Sequence, residues 1–300
     1  RDSTWRKYEG YYRHHFDELL DLRINRINTA RVEKYIAARQ NAEMNLTTLR
    51  KLITTFNQIM NYAVRHNYID HNPVRDAERP RGQGDVEKIS IRIFNTSEIN
   101  AFIDAAKNEK YRTLFMLAIM SGARQGELLG LKWSDLDWFN SQLHIQRTYN
   151  EGAWYRPKSK TSNRKIDLGP SMIAQLKKWH AACIPNEMDL IFPNNAGKPM
   201  NHGNMLRRHF YPALKEAGIP KMRFHDLRHT YASLLIEQGE NIKYIQSQLG
   251  HASPIVTLTT YAHLMKPVNQ EAACKLEETV FQENGSKMVA ENKKGVRHKA

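Results

Sequence analysis

Four residues toward the C-terminal end of the chain carry groups that can act together on a phosphodiester: His225, Arg228, His251 and Tyr261. They stand in Phe224-His225-Asp226-Leu227-Arg228-His229-Thr230, in Leu249-Gly250-His251 and in Thr260-Tyr261-Ala262-His263. A tyrosine hydroxyl attacks phosphorus once a base takes its proton. Arginine forks and an imidazole can meet the charge that grows on the phosphate oxygens, and none of this requires a metal. On a helix, His225 and Arg228 lie about 60° apart on one face. The apolar positions Phe224, Leu227, Tyr231, Leu234 and Leu235 make a different stripe, so the pair is expected to look away from the core. Taken singly, a helical histidine or arginine is usually solvated, and a tyrosine such as Tyr261 usually packs a core. The elements around them change that balance.

After Gly239 a short helix carries Ile242, Ile245 and Leu249 on one side. Gly250 suits the left-handed residue that ends it, and Ser253-Pro254 suits the start of the next helix, with Tyr261 two turns in. His251 is thereby fixed in a tight corner. A second group of interest is Ser121-Gly122-Ala123-Arg124-Gln125-Gly126-Glu127-Leu128, where Arg124 follows a glycine break at the start of a helix. Glu127, one turn on, either braces the arginine or complements the helix dipole. Upstream, Asn95 or Thr96 can cap a helix bearing Ile99, Phe102, Ile103 and Ala106, with Glu98 at capping-box distance from Asn95. A helix over Leu114–Met120 stops at Ser121-Gly122. Gln142–Tyr149, Ala153–Pro157 and Arg164–Leu168 read as short strands, and helices resume from Ser171 to about Phe281.

The first part of the chain is helical in pattern. Leu49, Leu52, Ile53, Phe56, Ile59, Met60 and Ala63 keep a helical period from Leu46 to Val64, broken at Asn72-Pro73. A basic stretch rich in Pro and Gly follows. The organisation expected is a helical domain over 1–80, a basic linker over 81–90, a second domain over 91–282 and a polar, basic tail over 283–300. A formal charge of +14 in 300 residues points to a polyanionic partner, most simply DNA. Cys183 and Cys274 form no C-x-x-C pair, which argues against a zinc site or a disulfide framework and suits a reducing cytoplasm. His225, His229 and His251 lack acidic companions at metal-ligand spacing. No apolar run approaches the roughly 20 residues of a membrane span. The chain opens on Arg1, so a preceding segment is expected to have been removed or omitted.

Together these segments resemble the tyrosine recombinases, the integrase family of phages and mobile elements. One family box appears as Ser121–Leu128 with Leu131-Lys132-Trp133-Ser134-Asp135, and the other as His225–Thr230, Leu249–His251 and Tyr261–His263. Order and spacing match over roughly 90–282. The interval from His251 to Tyr261 is one residue longer than in many members, as in integrases of some conjugative elements. The resemblance implies a mainly α fold with a small antiparallel β-sheet (α+β): a helical SAM-like core-binding domain followed by the DNA breaking-rejoining catalytic domain. It assigns catalysis to Arg124, His225, Arg228, His251, the nucleophile Tyr261 and a hairpin lysine. Counting back from the strand favours Lys158 for that lysine, and a shift of register leaves Lys160 open. The implied activity is site-specific recombination through a 3′-phosphotyrosyl link and a Holliday junction, without cofactor or metal. Double-stranded attachment sites, a homotetramer on DNA, a DNA-bending accessory protein and a directionality factor are the partners implied, and a further arm-binding domain is common before the first domain. Ala272, Ala273, Leu276, Val280 and Phe281 make an apolar pattern that suits either docking on a neighbouring protomer or packing within the chain. A type IB topoisomerase shares the chemistry, and a silent DNA-binding regulator shares the fold. The first box and the Leu-Gly-His corner favour the recombinase over the former, and the filled catalytic positions favour it over the latter.

Overall fold

A computed structural model of the chain describes residues 2–80, 92–156, 160–261, 273–274 and 276–281. The expected linker over 81–90, the tail over 283–300 and Lys158 lie outside these residues, as does the side chain of Lys160. The chain divides into two compact units, Arg1–Ser90 and Ile91–Ala300.

The first unit is built from α1 (Asp2–His15), α2 (Asp17–Leu20), α3 (Thr29–Asn41), α4 (Leu46–Arg65) and α5 (Pro73–Asp76). Asn45 starts α4 by accepting the amides of Thr47 and Thr48. The helical period in the sequence becomes a buried face of Leu49, Leu52, Ile53, Phe56 and Met60. That face packs with Val32, Tyr35 and Ile36 of α3 and with Phe16. The break at Asn72-Pro73 is a helix start. Asn72 accepts the Val74 amide and donates to the side chains of Asn57 and Asn61, both at 2.9 Å, while Pro73 takes the first turn, where no amide hydrogen is needed.

The second unit begins with α6 (Thr96–Ala105), whose capping box forms as the sequence predicts. Asn95 Oδ1 accepts the Glu98 amide at 2.8 Å, and Glu98 accepts the Asn95 amide at 3.1 Å. Next, α7 (Glu109–Ser121) starts earlier than its apolar run suggests because Asn108 caps it through the Lys110 amide. It is the central helix, with Leu114, Phe115, Leu117, Ala118 and Ile119 buried. Phe115 sits among Phe102, Phe210 and Phe224 at ring distances of 5.2–6.3 Å. The α7 helix packs against α6, α8 (Gln125–Leu129), α9 (Pro170–Ala182) and α12 (Asp226–Glu237), and the unit also contains α10 (His202–Met205), α11 (Tyr211–Glu216), α13 (Ile242–Leu249) and α14 (Pro254–Tyr261).

Strands β1 (Leu136–Asp137), β2 (Gln142–Ile145), β3 (Thr148–Asn150), β4 (Ala153–Tyr155) and β5 (Arg164–Asp167) separate α8 from α9. They form an antiparallel sheet in the order β1-β2-β5 and a separate β3-β4 hairpin. The run expected as one strand, Gln142–Tyr149, is therefore two. At the break Gln146 and Arg147 turn their side chains onto the buried Asp135 carboxylate, which pulls the backbone out of the ladder. In the sheet Leu143 pairs with Ile166 and Ile145 with Arg164. Strand alternation points Ile166 and Arg164 to the same inner face, so the arginine is buried where an apolar residue would be ordinary. No described helix is long and apolar enough to cross a membrane.

Candidate active site

The site is assembled from three helix ends. α7 stops at Gly122, whose φ of +58° is left-handed and whose hydrogen leaves room for the Tyr231 ring that a Cβ would strike. The chain then runs extended through Arg124, the residue that precedes α8. Glu127 settles the choice the sequence left open, because it braces the arginine and caps the helix together. Its Oε2 accepts the Arg124 amide and its Oε1 accepts Arg124 Nη1, both at 2.8 Å. Arg124 also reaches the Gly250 carbonyl with Nη2 at 3.4 Å.

Glu127 is buried, and a second guanidinium shares it. Arg164 donates Nη1 and Nη2 to its two oxygens at 3.1 and 2.9 Å. Burial alone would raise the Glu127 pKa, but hydrogen bonding and charge from Arg164, with the charge of Arg124, hold it below the usual range. Sequence reading missed Arg164. The available signal was a charged residue two positions before Ile166, on the inward side of a strand.

Arg228 does not look out from α12, as the helical stripe suggested. It is 3% exposed and points between two helix C-termini, donating to the Gly122 carbonyl at 2.7 Å and the Leu249 carbonyl at 2.6 Å. Burial, then the charges of Arg124 and Arg164, lower its pKa to about 9, so it stays cationic at neutral pH. His225 directly precedes α12. It stays exposed, as its place on the helix suggested, and partial desolvation of its ring with the charge of Arg228 lowers its pKa and favours the neutral, proton-accepting form.

Gly250 ends α13 with φ +65°, and a Cβ there would lie 2.9 Å from Arg164 Cδ. His251 follows and is pinned on both sides. Its amide donates to the Gln246 carbonyl, and its carbonyl accepts Gln246 Nε2 at 2.5 Å. Its Nδ1 lies 2.9 Å from the hydroxyl of buried Thr257. Burial, Arg228 and Arg124 press its pKa down to about 4, so the ring is neutral at pH 7. In the tautomer that accepts the Thr257 hydroxyl at Nδ1, the proton resides on Nε2, which makes that edge a hydrogen-bond donor.

Tyr261 ends α14 in a pocket with Tyr231, Ala232, Ile245 and Leu249, and is 1% exposed. Its hydroxyl lies 2.7 Å from His229 Nδ1. Burial raises its pKa to about 12, against the opposing pull of Arg228, and presses that of His229 down to about 4, helped by His225. Sequence reading weighed His229 only as a metal ligand. The spacing that betrayed it was its position four residues after His225, on the same helical face, where the two rings meet edge to face at 5.1 Å. Arg124 and Arg228 thus meet at the Leu249-Gly250-His251 corner, with His225 and His251 within electrostatic reach. Tyr261 stands behind that corner, in its pocket.

Two family profiles match the chain: the phage integrase family over residues 92–267 and the phage integrase SAM-like domain over residues 1–79. A tyrosine recombinase XerC-like protein of Caldanaerobacter subterraneus subsp. tengcongensis is 30% identical over 294 residues, covering 88% of this chain and 75% of its own. The integrase of Staphylococcus phage L54a is 26% identical, covering 87% and 82%. Among solved structures, the Tn1549 transposon integrase in complex with a circular intermediate DNA aligns with a TM-score of 0.73 at 19% identity, covering 93% of this chain and 94% of that one. A lambda integrase dimer bound to a COC' core site aligns at 0.65 and 20% identity, covering 86% and 88%. These two share the fold: mainly helical, with small antiparallel sheets.

Proposed function

The chain belongs to the phage integrase family of tyrosine-type site-specific recombinases, and on that premise we propose that it integrates or excises a mobile element through a covalent bond between Tyr261 and DNA. The observation that carries this reading is the convergence of Arg124 and Arg228 on the carbonyls of Gly250 and Leu249, immediately before His251. Two fixed guanidiniums and a neutral imidazole donor make a cradle for the non-bridging oxygens of a scissile phosphate. Tyr261 Oη forms a bond to phosphorus as the bond from phosphorus to the 5′-oxygen breaks. His225 takes the tyrosine proton, and the 5′-oxygen leaves with a proton from Lys158, or from Lys160 if the hairpin register is shifted. The 3′-phosphotyrosyl link keeps the energy of the broken bond, so a 5′-hydroxyl of another strand can attack it, release Tyr261 and reseal the DNA without ATP. In its present pocket Tyr261 must move before it can attack.

Four protomers exchanging strands of two duplexes through a Holliday junction need a contact between copies. Leu276, Val280 and Phe281, each more than half exposed, support docking on a neighbour over packing within the chain. The reading takes residues 1–80 as the unit that binds the core site, joined by the basic linker over 81–90 to the catalytic domain over 91–282. The net charge of +14 suits phosphate contacts along the duplex. A DNA-bending protein and a directionality factor complete the assembly, at work in the cytoplasm of the host cell.

The test uses nicked duplexes copied from the DNA flanking the gene, where such elements join the host. Wild type should form a covalent protein–DNA adduct and Tyr261→Phe should form none. Equal adduct from both, or none from either, would refute the assignment.

A further inference from the structure

The proposed mechanism leaves unused a side chain that touches several parts of the cradle's support. Arg164 lies on the inner face of β5, its side chain 5% exposed. It covers both oxygens of Glu127, the carboxylate that holds Arg124. Its Nε donates to the Gln248 carbonyl at 2.6 Å, one turn before His251, and its Nη1 approaches the Ser162 carbonyl at 3.4 Å, at the end of the turn that opens with Lys160. Gly250 fits against it only because it has no Cβ. A second tie runs alongside: the Asp167 amide donates to Gln248 Oε1 at 3.0 Å. One guanidinium therefore joins the base of the lysine hairpin, the carboxylate behind Arg124 and the corner that presents His251.

We propose that Arg164 is a positioning residue for strand cleavage: acting through Glu127 and the Gln248–Gly250 backbone, it holds Arg124 and His251 where the phosphate charge develops. This rests on the functional reading above. Replacing both members of a buried ion pair by apolar side chains can be neutral, whereas removing one leaves the other charge buried, so loss of stability in an Arg164 variant does not by itself show a role in cleavage. Arg164 is distinguished by geometry, because its donors are divided among three elements of the site. A Met of similar length fills the space and provides none of those hydrogen bonds.

The experiment compares wild type, Arg164→Met, Arg164→Lys and Arg124→Ala as full chains, on nicked duplexes with the sequence flanking the gene. One substrate carries an ordinary scissile phosphodiester. The other carries a methylphosphonate there, in which a methyl group replaces one non-bridging oxygen and removes the negative charge that Arg124 is held to meet. On the phosphodiester, Arg164→Met should slow single-turnover cleavage about 100-fold, the scale of a small misplacement of a charged donor. On the methylphosphonate, Arg164→Met and Arg124→Ala should each lose less than about tenfold, because the missing donor has less charge to meet. Arg164→Lys keeps a charge near Glu127 but not the divided fork, and should fall between wild type and Met. Melting curves identify folded variants. If the Met variant does not fold, the Lys variant carries the same two-substrate comparison. Wild-type rates in the variant, or equal losses on both substrates, would overturn the positioning role while leaving the functional reading intact. No cleavage by wild type, or an Arg124→Ala variant as active as wild type, would bring down that reading and this inference with it.

Discussion

For Tyr261, the proposed nucleophile, the surrounding pocket predicts that the side chain is withheld in the free protein, and His229 is the residue on which to test it. Two interactions hold the side chain in. Burying an aromatic ring of this size is worth about 2 kcal/mol, and the hydrogen bond to His229 adds a net of about 1 kcal/mol. At about 1.4 kcal/mol per factor of ten, the 3 kcal/mol total leaves roughly one molecule in 150 with Tyr261 outside its pocket. His229→Ala removes the hydrogen bond and leaves the apolar walls of Tyr231, Ile245 and Leu249 in place. The exposed fraction should then rise about fivefold. The hydroxyl keeps most of its burial, so its pKa should stay above the ordinary tyrosine value.

Nitration of surface tyrosines, read peptide by peptide by mass spectrometry, measures this population directly. Tyr62 and Tyr68, which are 58% and 64% exposed, serve as internal references. In wild type, Tyr261 should react about 100-fold more slowly than these two, and in His229→Ala about 20–30-fold more slowly, following the populations above. Binding of core-site DNA should narrow the gap further, because the proposed attack requires the side chain to leave. If wild-type Tyr261 is nitrated within a few-fold of Tyr62, the pocket does not hold it. If His229→Ala leaves the rate unchanged, the hydrogen bond contributes nothing and the reasoning from it fails.

Two further outcomes follow from the same geometry. Gly250→Ala places a Cβ in a left-handed backbone and against Arg164 Cδ and the Thr161 carbonyl. It should cost about 2 kcal/mol of stability, read from urea unfolding, and slow cleavage more than tenfold; a variant like wild type in both would remove the close-packing account of this corner. The depressed pKa values of His229 and His251, each about 4, predict acid sensitivity. Between pH 6.5 and 4 the unfolded chain binds protons at these rings while the folded chain does not, so their stabilisation is complete above pH 6.5 and lost as pH falls toward 4. Allowing for screening at half-buried rings, the pair should account for about 2 kcal/mol. A urea midpoint that stays constant or rises from pH 7 to 4.5 would contradict it.

What could be read from the sequence was local. The Asn95–Glu98 box, the stops at Gly122 and Gly250 and the Arg124–Glu127 pair each depend on residues within a few positions, and each forms as its spacing suggests. What escaped depends on partners far along the chain. Asp135 draws Gln146 and Arg147 out of a strand, and α7 and α13 bring carbonyls to Arg228 from 106 and 21 residues away. Helical periodicity counts Arg228 as polar and therefore outward, because it cannot register two helix ends waiting to accept its protons. Strand alternation likewise places Arg164 inward without disclosing the carboxylate that makes burial tolerable.

Arg228 is held by peptide carbonyls, not by a carboxylate, and this bears on the electrostatic balance of the reaction. Carbonyl dipoles orient a guanidinium without cancelling its formal charge, whereas an acidic partner would neutralise it. Around the corner, among the described residues, stand three guanidiniums, Arg124, Arg164 and Arg228, and one buried carboxylate that touches them, Glu127, with His251 neutral. The uncompensated charge is therefore close to two positive units. A phosphodiester brings one negative charge, and a tyrosine that surrenders its proton on attack adds another. In the proposed mechanism His225 keeps that proton, so the positive charge at the corner rises as the five-coordinate phosphate gains its second negative charge, and the pocket meets that species more strongly than the bound diester, a bias that lowers the barrier more than it strengthens binding.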